Sequence, residues 1–436
     1  MSPKPQPPPP DPPTTPQGST QRGWLQTLGP GLITGASDDD PSGIATYSQV
    51  GAQFGFGMLW TMLFSYPLMC GIQEISGEIG RVTGRGIAGN LRKFYPPALL
   101  YGIVMLMLAA NIINLGADIG AMGAAVKLLV GGPALVYAAL FALVSVGMET
   151  FISYRRYSKV LKWLCLALFA YVATVFVVHV PWGQALEATV LPAVSLKAVY
   201  VTSIVAVLGT TISPYLFFWQ AEDEVEAERA NPLDSPLKDD PKAAPPELHR
   251  IRVDTLTGMA FSNLVAFFII LTAAATLHAH GVTNIQTSTQ AAEALRPIAG
   301  RFAFLLFALG IIGTGLLALP VLAGSAAYAV GEALRWQVGL NNTPSHAKRF
   351  YGVLALATVL GLGLSLVHLD PIKALFWSAV INGVVAVPIM ILMMVMTENS
   401  EVMGEFTLKA RQKVLGWLAT AVMLAAAVGL FATWGQ

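Results

Sequence analysis

Charge is what this sequence has least of. Asp, Glu, Lys and Arg make up 12% of its 436 residues, about half the share usual in soluble domains. A single water-soluble core is thereby excluded, because 54% apolar residues are more than such a core absorbs. Cysteine is nearly missing as well. Cys70 and Cys165 both lie in apolar runs, which removes a disulfide framework and a thiolate metal centre from consideration. A net charge of +1 says nothing about nucleic acid or acidic partners, since the distribution of charge across loops matters more than its sum. Nucleophile elbow, Walker and HExxH sequences are all lacking, so nothing here supports an enzyme.

What is there is apolar sequence in blocks of membrane-spanning length. Residues 1–22 are rich in proline and carry no apolar run, so they read as a disordered cytoplasmic tail and not as a signal peptide. From 23 to 436, eleven apolar segments follow, at about 24–54, 57–80, 98–129, 133–150, 158–181, 196–228, 253–277, 301–333, 350–368, 371–397 and 411–434. The expected fold is an all-α integral membrane protein of eleven transmembrane helices. With the N-terminus in the cytoplasm, the outer loops keep only Lys127, Lys197, Arg296, Arg301 and Lys373, and the other 21 of the 26 Lys and Arg residues fall on the inner side. Such asymmetry supports both the orientation and the count, and places the C-terminus outside. The proline-bearing stretch 229–250 reads as a flexible cytoplasmic loop.

Two segments are broken alike, the first by Ser37-Asp38-Asp39-Asp40-Pro41-Ser42-Gly43 and the sixth by Gly209-Thr210-Thr211-Ile212-Ser213-Pro214-Tyr215. Five spans separate the breaks, so spans one to five (about 23–181) and six to ten (about 196–397) read as two inverted repeats, with an extra helix at about 411–434. Unwound backbone at the bilayer midplane must be buried in protein or line a wet cavity. Its free carbonyl oxygens suit a hard cation.

A carboxylate there costs about 2.5–3.5 kcal/mol, so Asp40, next to the proline, reads as the charged anchor of a bound cation. Asp39 is divided evenly between that role and a solvated vestibule, and for Asp38 the vestibule or a helix cap is the simpler reading.

These residues resemble the natural resistance-associated macrophage protein (Nramp) family of divalent metal transporters, from about Gly29 to the last span. Gly29-Pro30-Gly31 followed by Asp40-Pro41-Ser42-Gly43 is similar to the family's Gly-Pro and Asp-Pro-Gly-Asn in the first span. Gly51-Ala52-Gln53-Phe54-Gly55, Ile72-Gln73 with Ser76, Val82-Thr83-Gly84-Arg85, Asn263, and Asn399 with Met403-Gly404 match further landmarks. The resemblance implies a LeuT-like fold working by alternating access, with metal held between the two breaks.

The departures bear on selectivity. Where the family has Asn, Ala, Met and His, this chain has Gly43, Thr210, Ser213 and Tyr215. The thioether that favours softer metals is gone, and hydroxyl, carbonyl, carboxylate and water oxygens suit magnesium, calcium or manganese. The pattern resembles the Nramp-related magnesium transporter branch, and a roomier polar site suits an ion that keeps several waters. Thr210, Thr211 and Ser213 have two readings: contact with the ion, directly or through water, or repair of backbone freed by Pro214.

The resemblance also bears on protons. Tyr215 and Gln220 occupy the two sixth-span histidine positions, so no near-neutral imidazole is present. The third-span acidic pattern is partly recoverable around Asn111, Asn114 and Asp118; Asp118 reads equally as a relay, a vestibule ligand or a polar residue paired in the bundle. Gln73 and Glu78 line the inner vestibule or bond between helices. His278 and His280 read first as an interfacial solvated pair. Glu222, Asp223, Glu224, Glu226 and Glu228 read as a solvated helix face, with an acidic funnel as the alternative.

The expectation is a multi-pass transporter of the cell (inner) membrane that imports hydrated Mg2+, and also Mn2+, without proton coupling. Its partners are the ion and the lipid bilayer; no resident cofactor and no obligate protein partner are implied. A proton-coupled Mn2+/Fe2+ transporter, and an organic-solute transporter or metal sensor on the same scaffold, are the rivals.

Overall fold

The computed structural model describes residues 34–35, 37–152, 165–231, 234–340, 342–366 and 370–434. The proline-rich tail, Gly29-Pro30-Gly31 and the basic stretch from Arg155 to Lys162 lie outside the described residues. Among those described there is helix and no strand, as expected where backbone polar groups must be satisfied within each segment.

The principal helices are α1 (Pro41–Phe54), α2 (Trp60–Thr83), α3 (Ile87–Phe94), α4 (Pro97–Val130), α5 (Ala134–Phe151), α6 (Phe169–Val175), α7 (Ala198–Thr211), α8 (Pro214–Arg229), α9 (Ala244–Thr276), α10 (Ala303–Ala333), α11 (Lys348–Leu364), α12 (Pro371–Glu398) and α13 (Ala410–Ala432). Each of the eleven apolar segments contains helix. Among the described residues, seven helices are long and apolar enough to span a membrane unaided, and the 107° bend between Pro41–Met58 and Trp60–Thr83 is the turn from the first segment into the second. Pro41, Pro97, Pro214 and Pro371 each open a helix, where the missing N–H would have had no partner anyway. Gly84, at φ 63°, closes α2, a conformation glycine adopts without strain.

Both expected breaks are present. Residues 34–35 and 37–38 are helical and the chain unwinds at Asp39 and Asp40 before α1; α7 and α8 are separated by Ile212 and Ser213. The packing follows an internal two-fold. α1 lies on α9 while α8 lies on α2; α4 lies on α5 and α11 while α10 lies on α11 and α5; α4 and α10 pack against each other. Exchanging spans one to five for six to ten turns each of these pairs into its mate, as two inverted repeats require.

Small residues set the closest approaches. A Cβ on Gly209 would stand 2.0 Å from the carbonyl oxygen of Ala379, and one on Gly80 2.0 Å from that of Ala221, the close backbone contact that membrane helices use in place of a hydrophobic drive. The outer surface carries large exposed side chains such as Met105, Leu143, Phe176, Val359 and Phe431, suited to lipid tails.

In the stretch expected as a flexible loop, Leu237 and Lys238 donate backbone bonds to Arg81 and Val82 at 3.2 and 3.1 Å. α9 begins at Ala244, nine residues before the apolar run at 253.

Candidate metal site

The break in the first span is fixed by its own side chains. Asp40 caps α1, its Oδ1 accepting from Gly43 N at 2.8 Å and from Ser42 Oγ at 2.6 Å. Its Oδ2 faces inward, accepting from Asn114 Nδ2 at 3.0 Å and from the Tyr215 hydroxyl at 3.4 Å. Three elements therefore converge on one carboxylate: the first break, α4 and the start of α8. Asp118 lies one turn beyond Asn114 on the same face of α4. Ser262 of α9 bridges the other two acids, donating to Asp38 Oδ2 at 2.6 Å or Asp39 Oδ1 at 3.2 Å.

All four carboxylates are 2% exposed or less. No Lys, Arg or His pairs with any of them among the described residues. Asp38 Oδ1, Asp39 Oδ2, both oxygens of Asp118 and Asn114 Oδ1 have no hydrogen-bond partner there. Charge buried in this way is stable only when paired, neutralised or bound to a cation. Oxygen is the only ligand type these side chains offer, which suits a hard divalent ion.

The sixth-span hydroxyls turn toward their own backbone. Pro214 has no N–H, so the Thr210 carbonyl loses its partner, and Ser213 Oγ lies 2.8 Å from it and 2.8 Å from the Gly209 carbonyl. Thr211 Oγ1 reaches Val207 O at 3.1 Å. Thr210 Oγ1 lies 2.8 Å from the hydroxyl of Tyr47 and 2.9 Å from the Val207 carbonyl of its own helix. Each hydroxyl retains a lone pair free for an ion or water. Gly43 is closely walled, against the roomier site expected of it: a Cβ there would meet Tyr47 Cε2 at 3.3 Å, the Asp38 carbonyl at 3.6 Å and Asp40 Oδ1 at 3.7 Å.

Four of the residues named from sequence stitch helices together and make no bond to Asp40. Asn111 Nδ2 donates to Leu322 O and Ser325 Oγ, both at 2.9 Å. Gln73 Nε2 donates to Leu216 O at 3.0 Å. Gln220 Oε1 accepts from Thr34 Oγ1 at 2.8 Å, binding α8 to the first half of span one. Glu78 accepts from Gln412 Nε2 at 2.6 Å. His278 and His280 engage separate carbonyls, Ala52 at 2.8 Å and Thr276 at 2.5 Å, and form no shared site.

The acidic run of α8 differs from the solvated face expected of it. Glu222, Glu224 and Glu228 are 1%, 0% and 7% exposed. Glu224 pairs with Arg250 at 2.5 Å and Glu228 with Arg81 at 3.3 Å, partners supplied by other helices. Ser262 and Tyr47 were not visible as site residues in the sequence. One is a lone serine in an apolar span; the other is an aromatic whose hydroxyl gains meaning only from Thr210.

A family model described as natural resistance-associated macrophage protein-like matches residues 31–433. The chain belongs to the Nramp family. The divalent metal cation transporter MntH of Klebsiella pneumoniae (strain 342) is 25% identical over 411 residues, 92% of this chain and 92% of that protein. The MntH of Aeromonas hydrophila is 25% identical over 409 residues, 92% and 94% of the two chains. Among solved structures, an Eremococcus coleocola manganese transporter superposes with a TM-score of 0.73 at 16% identity, covering 96% of this chain and 89% of that one. MhsT in complex with L-phenylalanine gives 0.62 at 15% identity over 92% and 98%; these two likenesses concern fold alone. At its two breaks this chain carries Asp40, Gly43, Thr210, Ser213 and Tyr215.

Proposed function

We propose that this Nramp chain imports divalent cations by alternating access, with hydrated Mg2+ as its principal cargo and Mn2+ as a competitor, and without coupling to protons. The observation that carries the reading is the set of four buried acids, Asp38, Asp39, Asp40 and Asp118, near the two broken spans, with which no basic side chain pairs among the described residues. Relatives named as divalent metal cation transporters support the substrate class. Ser213 in the place of a thioether favours a hard ion that keeps part of its water. Asp40 is the anchor; Asp39, Thr210, Thr211, Ser213 and the backbone at Gly43 supply oxygen directly or through water. The ion is cargo, and neither a resident cofactor nor an obligate protein partner is part of the scheme. Placement in the cell membrane, with the N-terminus inside and the C-terminus outside, follows from the Lys and Arg distribution.

A second reading rests on Asp118, whose two oxygens lack partners beside Asp40: a carboxyl so placed can carry a proton, as a proton-coupled Mn2+/Fe2+ transporter requires. The test is uptake into proteoliposomes loaded with a magnesium-sensitive dye. Saturable Mg2+ entry that Mn2+ inhibits is expected. Entry of Mn2+ with no entry of Mg2+ overturns the magnesium assignment, and entry of neither overturns metal import.

A further inference from the structure

Three arginines converge at one end of the helix bundle, the inner end by the distribution of Lys and Arg. Arg85 lies in the turn after α2, Arg92 on α3 and Arg229 at the last residue of α8. Together with Trp336 and His346, from the segment joining α10 to α11, they line a cavity of about 590 Å3. Each is held in place. Arg85 has its backbone fixed, N donating to Thr83 Oγ1 at 3.2 Å and the carbonyl accepting from Asn90 Nδ2 at 3.1 Å. Arg92 donates from Nη1 to the Glu332 carbonyl, and Arg229 Nη2 lies 3.5 Å from the Gly84 carbonyl. A guanidinium carries five N–H donors, so most of them are left for a ligand. The aromatic wall is fixed too, with the guanidinium of Arg349 standing 5.5 Å over the Trp336 ring.

The positive charge of this lining is not cancelled on the spot. No ion pair joins Arg85, Arg92 or Arg229 to a carboxylate among the described residues. Arg229 lies in the fields of Glu222 and Glu228, but Glu228 is paired with Arg81 at 3.3 Å. Glu332 is the carboxylate of the lining, and its oxygens already accept from Gly86 N at 3.0 Å and Gly89 N at 2.7 Å, at the start of α3. Glu222 lies against Glu332, and two carboxyls in contact hold a proton between them, so the pair carries a single negative charge. Set against three guanidinium groups, that leaves two positive charges in excess. Lys93 reports the same excess: the charge of Arg85, ahead of burial and the charge of Lys238, holds its ammonium below the ordinary lysine value.

Basic residues gather on inner loops in any membrane protein, but orientation does not require them to wall a cavity of small-molecule size built from three separate stretches of chain. The guanidinium fork matches carboxylate and phosphate alike. Two unbalanced charges suit a phosphate dianion better than a lone carboxylate, and the volume leaves room for the organic group that bears it.

We propose that Arg85, Arg92 and Arg229 form a binding site for a phosphate-bearing anion, a soluble phosphate ester or a phospholipid headgroup, which ties the end of span six to the loops that follow spans two and eight. The inference stands independently of the transport reading, because it is tested by binding in a chelating buffer free of Mg2+ and Mn2+. Radiolabelled inorganic pyrophosphate dialysed to equilibrium against the full-length protein in detergent probes the soluble source. Native mass spectrometry of the same protein with phosphatidylglycerol probes the lipid source. In at least one arm saturable binding is expected, and Arg85→Gln and Arg229→Gln should each weaken it at least about tenfold. Arg229→Lys, which keeps the charge and loses the fork, should weaken it less. Arg411→Gln alters an exposed arginine outside the cavity and should leave binding as it was. Loss in the pyrophosphate arm alone assigns a soluble phosphate compound, and loss in the lipid arm assigns a headgroup. No binding in either arm, binding that Arg85→Gln and Arg229→Gln leave unchanged, or an equal loss in Arg411→Gln overturns the site. Should Arg85→Gln not fold, the two substitutions at the exposed Arg229 carry the test. Binding of this kind by a protein that moves no metal ion sinks transport and leaves the anion site standing.

Discussion

The side-chain amide of Asn114 donates a 3.0 Å hydrogen bond to Asp40 Oδ2 across 74 residues of sequence. It couples the third span to the first break at the one acid that also caps α1. Because the bond goes to a carboxylate, it contributes about 1.5–3 kcal/mol. Asp40→Ala is expected to abolish Mg2+ uptake while the protein still elutes as a folded species on size exclusion. Asn114→Leu is expected to weaken ion binding about ten- to hundredfold by that same energy. Near-normal uptake by Asp40→Ala removes Asp40 from the site.

Selectivity should follow the ligands at the two breaks. Mg2+ and Mn2+ are expected to compete, and the unmodified protein to show no strong preference for Cd2+, because its ligands are oxygens. Ser213→Met supplies a thioether and should shift preference toward softer ions in part. Adding Gly43→Asn should extend the shift, since a Cβ there needs only a small movement of Tyr47, 3.3 Å away. Competition assays against Mg2+ uptake measure both; tight, selective Cd2+ binding by the unmodified chain contradicts the oxygen site.

The driving force is open to direct measurement. A divalent ion moving inward gains about 4.6 kcal/mol per 100 mV, from about 2.3 kcal/mol per charge, enough to accumulate an abundant ion without protons. Uptake is expected to follow the membrane potential and leave the lumen pH unchanged. Acidification in fixed ratio to Mg2+ entry, read with an internal pH dye, establishes coupling; its loss in Asp118→Asn would then name the carrier.

Helix contact predicts a fourth outcome. Gly209 brings α7 so near α12 that a Cβ would stand 2.0 Å from Ala379 O and 2.5 Å from Gly383 N. Gly209→Ala must push α7 and α12 apart, at about 1–3 kcal/mol, and should lower the melting temperature. Gly102→Ala, with nothing within 4 Å of the added carbon, should not. Equal melting of the two variants refutes the close contact.

The fold was legible because its signals are local. Blocks of apolar residues give spans, and Asp40-Pro41 and Ser213-Pro214, each set among polar residues, give breaks, whereas Pro67, Pro320 and Pro388 sit within continuous helices. Asp40 was legible as an isolated cost in an apolar setting. What escaped depends on partners distant in sequence. Ser262 acquires a role only where α9 crosses the first break, and Gln220, Gln73 and Asn111 are chemically fit to line a vestibule yet spend their amides on neighbouring helices. The acids of α8 looked solvated because their arginines lie elsewhere in the chain: Arg81 on α2 and Arg250 on α9.

The bond from Thr34 to Gln220 at 2.8 Å joins the first half of span one to the second half of span six, and Gln73 and Ser76 fasten the same α8 to α2. Linked in this way, the pieces share one lever arm. A tilt begun at either break is then expected to carry the other with it, so that the two lips of the proposed ion site part together. A vestibule can then open without leaving one half of the cargo's coordination shell behind.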